Sequence, residues 1–257
     1  MYETGKSPLK DRPLNLPGQS VDSALRDFVD DHFILPLFLV LTLILMSVWE
    51  WFGYARNIPR KPVLFTVLAA VAVVAYAVYF RLTWHKAKAL KLGRDGERAV
   101  GQYFDSHVES DASVFHDVPS VGGNIDHVII CSRGIYAIET KTRTKPAKSD
   151  AIVTVDNGKL LVNGHAPDRD PLIQAKTCAS DLTRLLEQST GKRFPIQPVV
   201  VFPGWFVEDK RASKSPVWVL EPKALPSWIR NNAAVMSESD VCLATYHLSR
   251  HIRTAAP

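Results

Sequence analysis

Two uninterrupted apolar runs dominate the first third of the chain: Phe33 to Trp49 and Pro62 to Phe80, 17 and 19 residues without a charge. Both approach the roughly 20 residues that cross ~30 Å of hydrocarbon as helix. Aromatic residues extend them, Trp51, Phe52 and Tyr54 on one and Tyr76, Tyr79 and Trp84 on the other, and such rings settle at headgroup level. The pattern predicts two transmembrane helices, 33–52 and 62–80, joined by a short loop. Beyond them the pattern changes to alternating short elements. Leu92, Ala99, Val100, Tyr103, Phe104 and Val108 recur at helical spacing. Strands are expected over 114–118, 125–131, 135–141, 152–155, 159–162, 199–202 and 217–220. Ser132-Arg133-Gly134 and Asn157-Gly158 supply hairpin turns. A helix is expected over 172–187, and 223–253 reads as mainly helical with a break near 236–239. The fold class is therefore α+β, a mixed sheet with helices, preceded by two transmembrane α-helices.

The expected organisation is a flexible N-terminal tail (1–32), the helical hairpin (33–80), a basic juxtamembrane linker (81–90) and a domain over 91–257 with a C-terminal helical extension. The tail carries four basic and six acidic residues and three prolines, although Val21 to Asp31 can form a short interfacial helix. The polar stretch before the first run is not the short basic region of a cleaved leader. Both chain ends then lie on one side of the bilayer. Arg56, Arg60 and Lys61 sit in the loop, against Arg26, Arg81, Lys86, Lys88, Lys91 and Arg94 on the outer flanks. This asymmetry places both ends in the cytoplasm, in an inner membrane. Alanines in the second run (Ala69, Ala70, Ala72, Ala75, Ala77) offer helix–helix packing surfaces and so a route to homo-oligomers.

Composition adds two constraints. The net charge is +5, and the three scattered cysteines, without a CxxC, argue against a disulfide framework and a cysteine zinc site. A reduced, cytosol-facing domain follows.

Candidate chemistry sits in the 125–141 hairpin. Glu139 and Lys141 share a strand face with Ile135 and Ala137, so a carboxylate falls where burial is expected. A turn centred between Ser132 and Arg133 sets Asp126 opposite Glu139; a centre half a residue later sets it opposite Thr140. Opposed carboxylates repel unless compensated. Lys141 supplies one positive charge, and Mg²⁺ or Mn²⁺ held by the two carboxylates, a backbone carbonyl (Thr140) and water supplies the rest. Glu97 leans toward the apolar stripe of its helix and can reach the ion through water. Gln174 faces partly inward. His127 points to the opposite sheet face and reads as a packed histidine, and His247 and His251 lack a metalloprotease motif.

The segments GRDGE (93–97), GNIDHVII (123–130), GIYAIETK (134–141) and PLIQA (171–175) resemble the nuclease-related domain (NERD) family of the PD-(D/E)xK nuclease superfamily over roughly 90–200. The resemblance implies a restriction-endonuclease-like core, Asp126 and Glu139 as metal ligands, Lys141 as the catalytic lysine, Glu97 as an auxiliary acid and Gln174 as the helix glutamine. It implies a membrane-anchored, metal-dependent nuclease acting on nucleic acid, DNA in the first instance. A non-catalytic nuclease-like module that binds nucleic acid or a protein partner at the membrane is the alternative. Arg143, Lys145 and Lys148 follow the ExK strand and read as a phosphate-contacting edge, and the Arg81–Arg94 run as facing anionic lipid.

Overall fold

A computed structural model describes residues 13–146, 150–156, 158–210 and 216–255. It divides into two compact units, 21–92 and 1–20 together with 93–257. The expected residues Lys148 and Asn157 lie outside the described residues.

The 21–92 unit is helical: α1 (Gln19–Val29), a π-helical stretch (Asp30–Ile34), α2 (Leu35–Ala55) and the larger part of α3 (Pro62–His107). Two helical segments, Gln19–Ala55 and Pro62–His107, are long and apolar enough to cross a membrane. Their apolar side chains are mostly uncovered: Val63, Val71 and Val74 are each more than 60% exposed. A core helix of a water-soluble protein would bury such a surface. Helices α2 and α3 pair through Ser47 and Thr66, whose hydroxyls lie 2.9 Å apart, and through Glu50, which accepts from Arg60 and from the Lys61 backbone. Phe33 of the π-helical stretch meets Phe80 of α3 at a tilt, and Phe80 stacks on Trp84.

The helices are longer than the sequence predicts. The expected linker at 81–90 is helical, because Arg, Lys, Ala and Leu are strong helix formers and no proline interrupts α3. The expected tail differs in part: helix covers its residues 19–32, beyond the 21–31 helix allowed for, and Asn15 and Ser20 bond to Asp117 of the 93–257 segment, in their own unit.

That second unit is built on a five-stranded sheet of order β1-β2-β3-β6-β8, using β1 (Ser113–Ser120), β2 (Gly123–Cys131), β3 (Gly134–Thr140), β6 (Ile196–Val201) and β8 (Trp218–Leu220). The first three strands are antiparallel, and β3, β6 and β8 run parallel, so the sheet is mixed. Every residue of the central β3 is buried, as its near-continuous apolar run requires. Alternation splits the core in two. Val128, Ile130, Ile135 and Ala137 pack with α4 (Pro171–Thr190) and α6 (Glu238–Thr254). Ile129, Tyr136 and Ile138 pack on the opposite face with Val100 and Phe104 of α3 and with α5 (Leu225–Arg230). A small sheet, β5-β4-β7, joins β5 (Lys159–Val162), β4 (Ile152–Asp156) and β7 (Phe206–Asp209) and closes over Phe202 and Trp205. The sequence pattern gave no β7: its four residues are mostly exposed and pair with a strand some 50 positions earlier. The α+β class with a mixed sheet flanked by helices is the one expected.

Candidate active site

The β2–β3 hairpin adopts the first of the two registers the turn allows, with His127 opposite Ile138 and Cys131 opposite Gly134. The same register carries Asp126 to the level of Glu139, just past the last paired residues. Here β3 ends, tied to β6 by Lys141, whose N–H donates to the Val201 carbonyl. A strand end leaves side chains on a rim while the backbone behind them stays fixed.

Glu139 is 9% exposed. Its Oε1 accepts from Lys141 Nζ at 2.6 Å, and its Oε2 accepts from the Cys178 thiol of α4 at 3.7 Å. Asp126 turns one oxygen onto the Thr140 backbone N–H, 2.6 Å away. Burial first, then the Glu139 and Glu97 charges, push its carboxyl well above the ordinary range, against the pull of the Thr140 N–H and Lys141. Glu97, 8% exposed, is raised to about 7 by burial, by Asp117 and by Glu139. The Cys178 thiol is pushed up to about 12 by burial and by Glu139 and Asp126. The charges that act on Glu97 and Asp126 put both in one electrostatic neighbourhood with Glu139 and Lys141.

Three oxygens among these groups, Gln174 Oε1, Thr140 Oγ1 and Thr142 Oγ1, are buried without a protein partner. Buried polar atoms are otherwise satisfied almost everywhere, so these await water or a ligand. Gln174, Glu139 and Cys178 line a cleft of about 200 Å³ with Gly122 and Asp181. Among the described residues, no three His, Cys, Asp or Glu side chains converge as a ready metal cage.

The sequence missed Asp117. It is 3% exposed and stands in β1 between two paired positions, His116–His127 and Val118–Ile125, level with Asp126. Its left-handed backbone, φ 49°, takes it out of the ladder. Ser20 donates to it from its N–H (2.7 Å) and its hydroxyl (2.5 Å), and Asn124 Nδ2 lies 3.0 Å from Oδ1. Asn15 donates to its carbonyl. Extending the strand register from β2 to β1 is the sequence signal that would have found it. Gly96 is also explained: a Cβ there would lie 1.7 Å from Thr142 Oγ1, so GRDGE, within α3, packs directly on the segment that follows β3.

Asp181 of α4 was likewise unforeseen. It accepts from Ser120 and from the Gly122 N–H and pairs with Arg184, holding the β1–β2 tip against the helix. His127 is packed, as expected: it is fully buried, edge-on to Phe104, and its Nδ1 lies 2.9 Å from His116 Nδ1. Burial and His116 hold its pKa well below the ordinary value. His251 Nε2 lies 2.9 Å from the Pro119 carbonyl. Arg143 and Lys145 are exposed just after β3 and do not line the cleft.

Residues 92–203 match the family model of the nuclease-related domain, NERD. Among solved structures, that of Pyrococcus furiosus SfsA in complex with Ca²⁺ is similar at 16% sequence identity, with a TM-score of 0.26. The match covers 48% of this chain and 55% of that one, so the chain spans about half the length of that protein. No curated protein matches the chain.

Proposed function

We propose that the nuclease-related segment 92–203 is the catalytic part of a metal-dependent nuclease that cuts nucleic-acid phosphodiester bonds, DNA in the first instance, and is held at a membrane by the two apolar helical segments. The observation that carries this reading is the buried carboxylates of Glu97 and Glu139 and the half-buried one of Asp126, within electrostatic reach of one another at the end of the central strands, with the Lys141 ammonium 2.6 Å from Glu139. Like charges packed this way in a low-dielectric site destabilise the fold, so a use for them must exist.

The donor chemistry supports a small, hard cation. All candidate ligands are oxygens: Asp126, Glu139, the Thr140 carbonyl and, through water, Glu97, with unpartnered oxygens beside them. This is the set that suits Mg²⁺ or Mn²⁺ rather than zinc. When bound, such an ion offsets charge on the phosphoryl oxygens and makes water a better nucleophile at neutral pH. Lys141, already 2.6 Å from Glu139, holds the attacking water or helps to accept its proton. Glu139 keeps that ammonium in place. Gln174 lines the cleft, has a buried amide oxygen without a protein partner, and either orients a substrate group or braces the carboxylates. Arg143 and Lys145 extend positive charge from the strand end, and Lys148 continues that basic run in the sequence.

The membrane reading rests on the uncovered apolar faces of α2 and α3. Asn15, before α1, and Ser20, in its first turn, bond to Asp117, beyond α3. These bonds support a hairpin with both flanks on the same side, and the basic flanks support the cytoplasm of an inner membrane as that side.

The test is a cleavage assay on linear, circular and single-stranded DNA and on RNA, with Mg²⁺ or Mn²⁺ and with chelator, using the full chain in detergent micelles. Cation-dependent cleavage that disappears in Glu139→Ala is the expected result. Cation-independent binding with no cleavage by the parent protein would instead assign the chain to the non-catalytic alternative.

A further inference from the structure

A second cavity, about 470 Å³, opens between the β1–β2 tip and α4. Its size is that of a small-molecule site. Pro119, Val121 and Leu185 give it apolar walls; Arg184, Gln188 and Ser189 give it hydrogen-bonding groups of both kinds. Nothing in the catalytic chemistry uses it. Yet it is not separate from the cleft, because Ser120 and Asp181 line both.

Helix α4 measures the spacing. Cys178 touches Glu139, while Leu185 and Gln188 lie seven and ten residues further along. At ~1.5 Å per residue the cavity begins roughly 10–15 Å from the carboxylates. Bases stacked about 3.4 Å apart cover that in a few steps. A polymer cut at Glu139 and running along α4 therefore passes over the cavity.

Charge permits this. Asp181 is taken up by Ser120, Gly122 and Arg184, so the wall presents a neutral ion pair rather than a free carboxylate to a phosphate backbone. Two large apolar side chains stand in water beside the path: Val121 at the hairpin tip, 87% exposed, and Ile173 on α4, 62% exposed. Apolar groups so placed pack against base faces and separate base steps.

We infer that this cavity is a subsite for one unpaired nucleobase of the strand being cut, a few nucleotides from the scissile phosphate. Its apolar walls take the ring faces, and Gln188, Ser189 and Arg184 meet the ring edge. A base inside a duplex stack cannot enter such a recess without being turned out, so the substrate class is single-stranded nucleic acid, or a duplex opened near the cut. The inference rests on the nuclease reading above.

The experiment is an abasic walk. Single-stranded DNA oligonucleotides, each lacking one base at successive positions around the mapped cut, are offered to the full chain in detergent micelles with Mn²⁺; binding is read in parallel on Glu139→Ala by fluorescence anisotropy. The expected result is a KM or Kd raised about 10-fold at one position at fixed distance from the cut, the scale of one lost base contact. Gln188→Trp, a change on the exposed helix surface that fills the cavity, should weaken intact substrate by a similar factor and erase the positional effect. Val121→Ser, also on the surface, should diminish it. A flat walk with Gln188→Trp equal to the parent overturns the subsite while leaving the nuclease reading intact. No cleavage and no binding of any oligonucleotide overturns both.

Discussion

Replacing Glu97 by glutamine should make the metal-free protein more stable at neutral pH, the opposite of what most substitutions at a buried position do. Glu97 is held at about 7 in the folded chain, against 4.5 for an ordinary glutamate. The sign follows from proton linkage. Below pH 4.5 the group is protonated in both states, and its burial costs little. Between 4.5 and 7 the folded chain retains a proton that the unfolded chain has lost, and stability falls as pH rises. Above 7 the group is ionised in both, and the full penalty stands. Each pKa unit is worth about 1.4 kcal/mol, so the penalty is on the order of 3 kcal/mol. Glutamine carries no charge at any of these pH values and escapes it. For a domain of this size, about 2–4 °C accompanies each kcal/mol, which gives a difference of about 6–12 °C at pH 8 and little at pH 4.5. The assay is thermal unfolding of the full chain in detergent with EDTA across that range, parent minus variant, so that other titrating groups largely cancel. With Mn²⁺ present the order should narrow or reverse, because the ion stabilises the ionised carboxylates. A variant no more stable than the parent at pH 8, or a difference independent of pH, would refute the proposed crowding of charge.

Further expectations concern neighbouring residues. Lys141→Ala should abolish cleavage while Mn²⁺ still raises the unfolding temperature; equal cleavage by variant and parent would exclude a role for the ammonium. Gly96→Ala places a methyl group against Thr142 and should cost about 1–3 kcal/mol by overpacking, with Thr142→Gly restoring most of the loss in the double variant. Ser20→Ala removes one charged hydrogen bond to Asp117 and should cost about 1–3 kcal/mol, read as faster hydrogen exchange over residues 15–20. A cytoplasm-dependent reporter fused after Pro257 should be active, and activity only from a fusion within 56–61 would invert the topology.

Local patterns made much of this legible. The turn Ser132-Arg133-Gly134 allowed two registers, and both brought Asp126 to the end of β3 beside Glu139. The alternation around Glu139 showed that a carboxylate would be buried before any partner was known. What escaped depended on distant parts of the chain. Asp117 joins the site only through the pairing of β1 with β2 and through a left-handed residue that leaves the ladder. Cys178 and Asp181 depend on how α4 is rotated over the sheet, which periodicity alone leaves open by a residue or more. The charges after Phe80 suggested a break in structure, but lysine and arginine lengthen a helix as readily as they end a membrane run. Proline and acidic residues made 1–32 resemble a loose tail; the acceptor that fastens Ser20 lies 97 positions away.

The stitching of Asn15 and Ser20 to Asp117 bears on how a soluble piece of this protein should be prepared. Trimming the gene to begin at the first residue after the apolar helices would discard a short peptide that belongs to the globular half, exposing Gly101, which Pro17 approaches, and leaving a buried aspartate short of donors. Supplying residues 13–20 as a synthetic peptide, or joining them by a flexible spacer directly to Gly93, restores the missing wall without the greasy hairpin between.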